Sequence, residues 1–187
     1  MTKFNIQKCD LVYIFTALRS ATSKLGRPSY EYIKFEGSNG VLTACAADGY
    51  RAHICSTSID VTEGEKEFRF LLKPFVLPKI ETPFISCELS EKEIMFDFGD
   101  RRYIERLGEG IEGFLDYKAA IPDSNVVFKI GFNPQFLADA AKSLRTKDCL
   151  KDALVMEFYG PLKPALLYNS RNKNDFRIVL PVMLRED

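Results

Sequence analysis

An α+β fold, in which one helix packed on antiparallel strands occurs three times along the chain, is what this sequence predicts. Three observations carry that expectation. Extended, aromatic-led starts recur at Phe4-Asn5-Ile6, Phe68-Arg69-Phe70 and Phe128-Lys129-Ile130, 64 and 60 residues apart. Each start leads into a helix signal and then into strands joined by tight turns, a repeat too long and too mixed for a short solenoid. Hydrophobic residues make up 46% of the 187, enough for a proper core and too many for disorder.

The first repeat, residues 3–60, opens with its clearest helix. Leu11, Ile14, Phe15, Leu18, Thr22 and Leu25 fall on one face of a 3.6-residue period. Asp10 is the expected N-cap, and Gly26 and Pro28 the expected stop. Tyr30 to Glu36 reads as a strand, Ser38-Asn39-Gly40 as a hairpin turn, and Val41 to Ala46 as the return strand. Asp48-Gly49 makes a further turn before a strand from Tyr50 to Cys55.

The second repeat, residues 65–122, has less room for a helix. Phe68 to Leu72 is extended. Lys73-Pro74-Phe75-Val76-Leu77-Pro78 is expected to form a short helix, with Pro74 in its first turn and Pro78 limiting its length. Phe84 to Leu89, Ile94 to Phe98 and Arg102 to Leu107 read as strands, the first two joined at Ser90-Glu91-Lys92-Glu93. Ile111 to Tyr117 is irregular, and Ile121-Pro122 closes the repeat.

The third repeat, from Val126 to Leu184, starts with a strand expected over Val126 to Phe132. Asn133 caps a helix with Pro134 at its first position, and Phe132 and Leu137 occupy the two places of a hydrophobic staple. Leu137, Ala140, Ala141 and Leu144 line its apolar face, whereas Gln135, Asp139, Lys142 and Arg145 face outward. Strands follow at Ala153 to Tyr159, Ala165 to Asn169 and Phe176 to Pro181, the first two joined by Gly160-Pro161-Leu162-Lys163-Pro164. No Gly/Ser linker separates the repeats, so continuous sheets are expected.

Charge and targeting bound the function. Lys plus Arg and Asp plus Glu are 26 each, which excludes a globally basic nucleic-acid binder but not a local basic face. No apolar run approaches the ~18 residues of a membrane-spanning helix. The N-terminal sequence lacks the basic-then-apolar order of a signal peptide, so the expected location is the cytoplasm. The cysteines Cys9, Cys45, Cys55, Cys87 and Cys149 form no Cys-x-x-Cys pair and read as small buried hydrophobes in a reducing compartment.

Chemistry has little support. His53 is the single histidine, and its two-residue spacing from Cys55 puts both on one strand face. A nucleophile pair would need that proximity and a pocket, and a filler or surface histidine is the simpler reading. No ligand spacing for zinc and no phosphate loop occur, so neither metal nor cofactor is expected. Cations recur instead on corresponding segments: Arg19, Lys24 and Arg27, then Lys73 and Lys79, then Lys142, Arg145 and Lys147. Solvated helix faces are commonly charged. Side by side, however, such faces would make one basic surface that binds phosphates without reading sequence. Leu180-Pro181-Val182-Met183-Leu184 is either a core strand end or one wall of a pocket for an apolar peptide.

Five stretches resemble one family, the bacterial sliding clamps, or DNA polymerase III beta subunits. Ala46-Ala47-Asp48-Gly49-Tyr50-Arg51-Ala52 resembles T-D-G-[HY]-R-L, and Gly113-Phe114-Leu115-Asp116-Tyr117-Lys118-Ala119-Ala120-Ile121-Pro122 resembles G-x-F-P-D-Y-x-x-x-[IL]-P. Phe132-Asn133-Pro134-Gln135-Phe136-Leu137 is similar to F-N-x-x-Y-L, Gly160 to Pro164 to G-P-L-S-P, and Leu180 to Leu184 to M-P-[MV]-R-L. They occur in family order over nearly the whole chain.

The resemblance implies the DNA clamp fold, with helices on one side, lining the hole of a ring, and sheets on the other. It implies a processivity factor without a catalytic site, an accessory subunit that holds duplex DNA non-specifically and tethers DNA polymerase and clamp-loader-type proteins. The cations named above are then the DNA contacts. Partners insert short apolar peptides into a cleft that would use Gly49, Tyr50, Arg51 and Ala52 with Pro122, Asn133, Phe136, Leu162, Pro164, Leu180, Pro181, Val182 and Met183. Phe136 stands where the family has tyrosine, and Met183 where it has arginine.

Length is the larger departure. Residues 1–122 resemble the family's complete middle domain, and 123–187 only the second half of its last one. An odd half-domain has an open sheet edge, which invites pairing with another chain. Four chains would supply the twelve half-domains of a ring, or two chains would pair their third repeats, so a homo-oligomer is expected either way. The alternative function is a truncated clamp relative, a protein-interaction module that binds clamp partners or another clamp without encircling DNA.

Overall fold

The computed structural model describes residues 1–24, 27–79, 81–122, 124–145 and 152–184. Two compact units divide the chain, Met1–Pro122 and Asp123–Asp187. Leu25, Gly26, Lys147 and Cys149 lie outside the described residues.

In the first unit β1 (Thr2–Gln7) leads into α1 (Lys8–Arg19), a 3-10 turn at Pro28–Glu31, β2 (Ile33–Ser38), β3 (Val41–Ala47), β4 (Ala52–Ser58) and β5 (Asp60–Glu63). Then come β6 (Phe68–Leu72), β7 (Phe84–Leu89), β8 (Glu93–Asp97) and β9 (Arg102–Arg106), a 3-10 turn at Ile111–Gly113 and the short α2 (Tyr117–Ala120). The β2–β3 hairpin turns at Asn39 and Gly40, both with positive φ (51° and 74°), the backbone that an Asn-Gly pair permits at least cost.

These strands form two antiparallel sheets, ordered β4-β3-β2-β6 and β5-β1-β7-β8-β9. The pairing crosses the repeats. β1, from the first repeat, lies against β7 of the second, with Phe4 opposite Cys87. β6, from the second, lies against β2 of the first, with Phe35 opposite Phe70. One core therefore serves both repeats: Phe4, Ile6, Leu11, Ile14, Leu18, Phe35, Ile85 and Phe96 are all buried in it. Phe35 stacks on Phe70 with ring centroids 4.9 Å apart, and Phe4 on Phe68 at 5.2 Å.

The first helix departs from expectation at both ends. Asp10 is not its N-cap. Gln7 holds that position, and Asp10 sits in the first turn, where it accepts a hydrogen bond from the Thr57 hydroxyl at 2.5 Å. The helix also stops at Arg19, short of Thr22. The Ala17 carbonyl faces the His53 ring nitrogen Nδ1 at 3.1 Å, and the Ser20 carbonyl accepts from the Arg51 guanidinium at 2.7 Å. Side chains from and beside β4 thus occupy the carbonyls that another helical turn would need.

The helix expected in the second repeat does not form. Residues 73–79 are irregular, and Phe75 and Leu77 pack against the shared core. Two prolines four residues apart leave too little chain to recover the cost of nucleating a helix.

In the second unit α3 (Pro134–Ser143) is followed by β10 (Leu154–Phe158), β11 (Ala165–Asn169) and β12 (Asn172–Val179), which form one antiparallel sheet in that order. Asn133 caps α3 as its sequence predicts, its side-chain oxygen accepting from the backbone N–H groups of Gln135 and Phe136 at 2.9 and 3.4 Å. Phe132, Leu137 and Ala140 pack on a small core of Leu144, Ala165, Leu167 and Val179. The strand expected over Val126 to Phe132 is absent. Only Gly131 makes a bridge, to Val182. A strand needs a partner, and in the first unit the equivalent segment finds its partner in the other repeat. Among the described residues both sheets of the first unit are shared by its two repeats, whereas the sheet of the third repeat holds its own strands alone.

Candidate functional site

The turn from Asp48 to Arg51 is built by one carboxylate. Asp48 Oδ1 accepts from the backbone N–H groups of Tyr50 (3.0 Å) and Arg51 (3.2 Å), and Oδ2 accepts from Arg51 Nε (2.9 Å). The backbone hydrogen bond from Tyr50 and the guanidinium beside it hold the Asp48 carboxyl below its ordinary range. Gly49 has φ +91°, which a side chain would resist, and the Tyr50 ring is 99% exposed. Arg51, read from the sequence as part of a peptide cleft, spends its guanidinium on Asp48 and on the last turn of α1. A cation there also suits the negative end of the helix dipole.

The His53–Cys55 pair is not arranged as a nucleophile site. His53 faces the Ala17 carbonyl. Burial pushes the Cys55 and Cys87 thiols up and carries Cys45 to about 11, away from the thiolate that chemistry would need.

The cations fall in less regular places than expected. Arg19 ends α1 and Lys142 lies in the last turn of α3, both exposed. Arg145 follows α3, while Lys24 and Arg27 lie on exposed chain after α1. Lys73 and Lys79 sit on the irregular 73–79 segment, not on a helix. Lys73 pairs with Glu31 at 3.1 Å and covers the Tyr32 ring at 5.2 Å, and Lys79 pairs with Glu81 at 3.3 Å. Among the described residues no helix of the second repeat carries Lys73 or Lys79.

The second unit gathers at one end most of the apolar residues that the sequence resemblance assigns to a cleft. In the β11–β12 ladder Ala165 lies opposite Val179, which places Pro164 beside Leu180. The Val182 N–H donates to the Gly131 carbonyl at 2.9 Å and so ties the C-terminal segment to the entry of α3, where Asn133 and Phe136 sit. Phe136, Leu162, Leu180 and Met183 are 63%, 76%, 71% and 87% exposed, and Pro181 is half-buried. Beside them is a hollow of about 280 Å³ lined by Tyr159, Lys163, Pro164, Ala165, Leu166 and Ile178. Tyr159, Leu166 and Ile178 are not among the cleft residues that the sequence resemblance implies. The period-two exposure of Phe176, Ile178 and Leu180 was the available signal, hidden because the alternate residue Val179 is apolar too. In the first unit, Gly49 to Ala52 lie at the β3–β4 turn and Pro122 is exposed.

Strand-exchanged repeats, each a sheet with an aromatic-led first strand, define a class of α+β fold. Its particular form here is the DNA clamp fold. No family model and no curated protein matches the sequence. Solved structures do match in fold. The sliding clamp of Bacillus subtilis superposes with a TM-score of 0.66 at 14% identity over 98% of this chain and 64% of its own. The Pseudomonas aeruginosa sliding clamp gives 0.66 at 14% over 98% and 67%. The DNA polymerase III beta subunit of Thermotoga maritima gives 0.57 at 16% over 99% and 66%. The chain spans about two thirds of the length of these proteins.

Proposed function

We propose that the chain is a sliding-clamp-like processivity factor that binds duplex DNA without sequence readout and tethers replication proteins through short apolar peptides. The observation that carries this reading is the match of nearly the whole chain to clamp structures. Fold is not function, and two local features add support. Arg19, Lys24, Arg27 and Lys142 are exposed cations on or just beyond the helices. Phe136, Leu162, Leu180 and Met183 make an exposed apolar end on the second unit, suited to an apolar peptide. In this reading residues 1–122 act as a complete clamp domain and 123–187 as a half-domain, in a cytoplasmic accessory subunit without catalytic chemistry of its own.

The test is retention on closed circular DNA. The expected result is retention that weakens as salt rises and is lost when the circle is cut. Equal retention on linear DNA would contradict encirclement. A second reading, a protein-interaction module that never encircles DNA, is favoured by the ion pairing of Lys73 and Lys79. It predicts no retention on circular DNA together with binding of an apolar probe peptide that Met183→Glu weakens.

A further inference from the structure

Three strands hold the same place in their repeats: β2, β7 and β10 each follow the first segment and its helical or irregular connection. Two of them are flanked on both sides. β2 lies between β3 and β6, and β7 between β8 and β1. In each case the second flank, β6 or β1, is the first strand of the other repeat. β10 has β11 on one side and, among the described residues, no strand on the other.

Side-chain cover follows the same division. Ile33, Phe35 and Gly37 on β2 are buried, as are Ile85, Cys87 and Leu89 on β7. The corresponding apolar row on β10 is Leu154, Met156 and Phe158, of which Leu154 and Phe158 are each 43% exposed and Met156 is half-buried.

The first segment of the third repeat is unpaired in a matching way. Phe4, at the equivalent position in the first repeat, is 2% exposed, whereas Val126, Val127 and Phe128 are 68%, 94% and 45% exposed. Val-Val-Phe-Lys-Ile is strand-forming sequence, yet residues 125–130 belong to no sheet. The third repeat thus offers both a strand without a sheet and a sheet edge without a strand.

They do not satisfy each other within one repeat. In the first unit β1 does not pair with β2, nor β6 with β7. Each first strand crosses to the other repeat's sheet. Among the described residues no fourth repeat supplies the crossing partner of the third. We propose that it comes from a second copy of this chain. Residues 126–132 of each copy add antiparallel to β10 of the other, and the two third repeats rebuild the exchanged arrangement of the first unit. One patch that is both donor and acceptor is self-complementary, which is what a two-fold interface requires. A foreign strand would fill the β10 edge but leave 126–132 without a sheet.

The test measures the solution mass of the full chain, by sedimentation, with no DNA present. It can therefore fail while the DNA-binding reading stands. The expected mass is an even multiple of the chain mass. In Val126→Pro with Val127→Pro, adjacent residues lose their N–H groups, so one lost donor faces the partner in either register. That variant is expected at the single-chain mass with a cooperative thermal melt retained. In the wild-type chain, backbone amides of 126–130 should exchange slowly with solvent deuterium. A wild-type particle of one chain or an odd number of chains, a mass unaffected by the two prolines, or open-chain exchange at 126–130 overturns the proposal.

Discussion

Glu157 on β10 shows how one residue can set a pH limit. Its carboxylate accepts from the Tyr159 hydroxyl at 2.6 Å and the Tyr168 hydroxyl at 2.8 Å, and pairs with Lys173 at 3.0 Å. These bonds, Tyr159 first, hold it down at about 2 from an ordinary 4.5. A depressed carboxyl stabilises the fold above its ordinary value and loses that contribution as pH falls toward the folded one. Thermal melts stepped down through that window should show falling stability, and Glu157→Gln should flatten the dependence. An equally steep fall in the variant would remove Glu157 from the account. Asn133 is a second case. Asn133→Ala should lower stability by about 1 kcal/mol in denaturant titration, with Asn133→Ser recovering most of it. This cap is legible in the sequence because its partners lie two and three residues away. The grip of Arg51 on Ser20 and of His53 on Ala17 is not, because it spans 31 and 36 residues. No local pattern encodes such a bond, and it decides where α1 ends.

At the scale of elements, the 73–79 segment separates pattern from outcome. Its apolar spacing and Pro74 read as a short helix, but Phe75 anchors it instead. The Phe75 ring lies 4.9 Å from that of Phe15, 5.0 Å from Tyr103 and 5.8 Å from Phe96. Phe75→Ala should cost about 3 kcal/mol, measured as a lowered denaturation midpoint. A change within ~0.5 kcal/mol, the size expected of surface substitutions, would show that the segment is not held by its ring. The same substitution bears on the site, because Lys73 and Lys79 take their positions from this anchored chain and not from a helix face. Gly37 makes a similar point within β2. A Cβ there would overlap the Phe68 ring opposite, so Gly37→Ala should destabilise by about 1–3 kcal/mol through overpacking. The strands themselves were well marked in the sequence by alternation and turn residues. β5 and the irregular 126–132 were not, since whether an extended segment joins a sheet depends on a neighbour it cannot specify.

For the whole molecule, the threefold plan was legible from spacing, whereas the exchange of first strands between repeats was not. Periodicity reports what a segment resembles, and pairing depends on which edge it meets. The exchange makes the two repeats of the first unit one folding entity. A fragment ending at residue 64 should show no cooperative melt by circular dichroism, while one ending at residue 122 should melt cooperatively. A cooperative melt in the shorter piece would mean that the exchange is dispensable. The same arrangement has a consequence at the ribosome. Thr2 pairs with Leu89, so β1 waits on the ribosome for a partner made much later, roughly 9 s at about 10 residues per second. Throughout that interval a nascent β-edge stands bare, and a holding chaperone is the natural shelter for it.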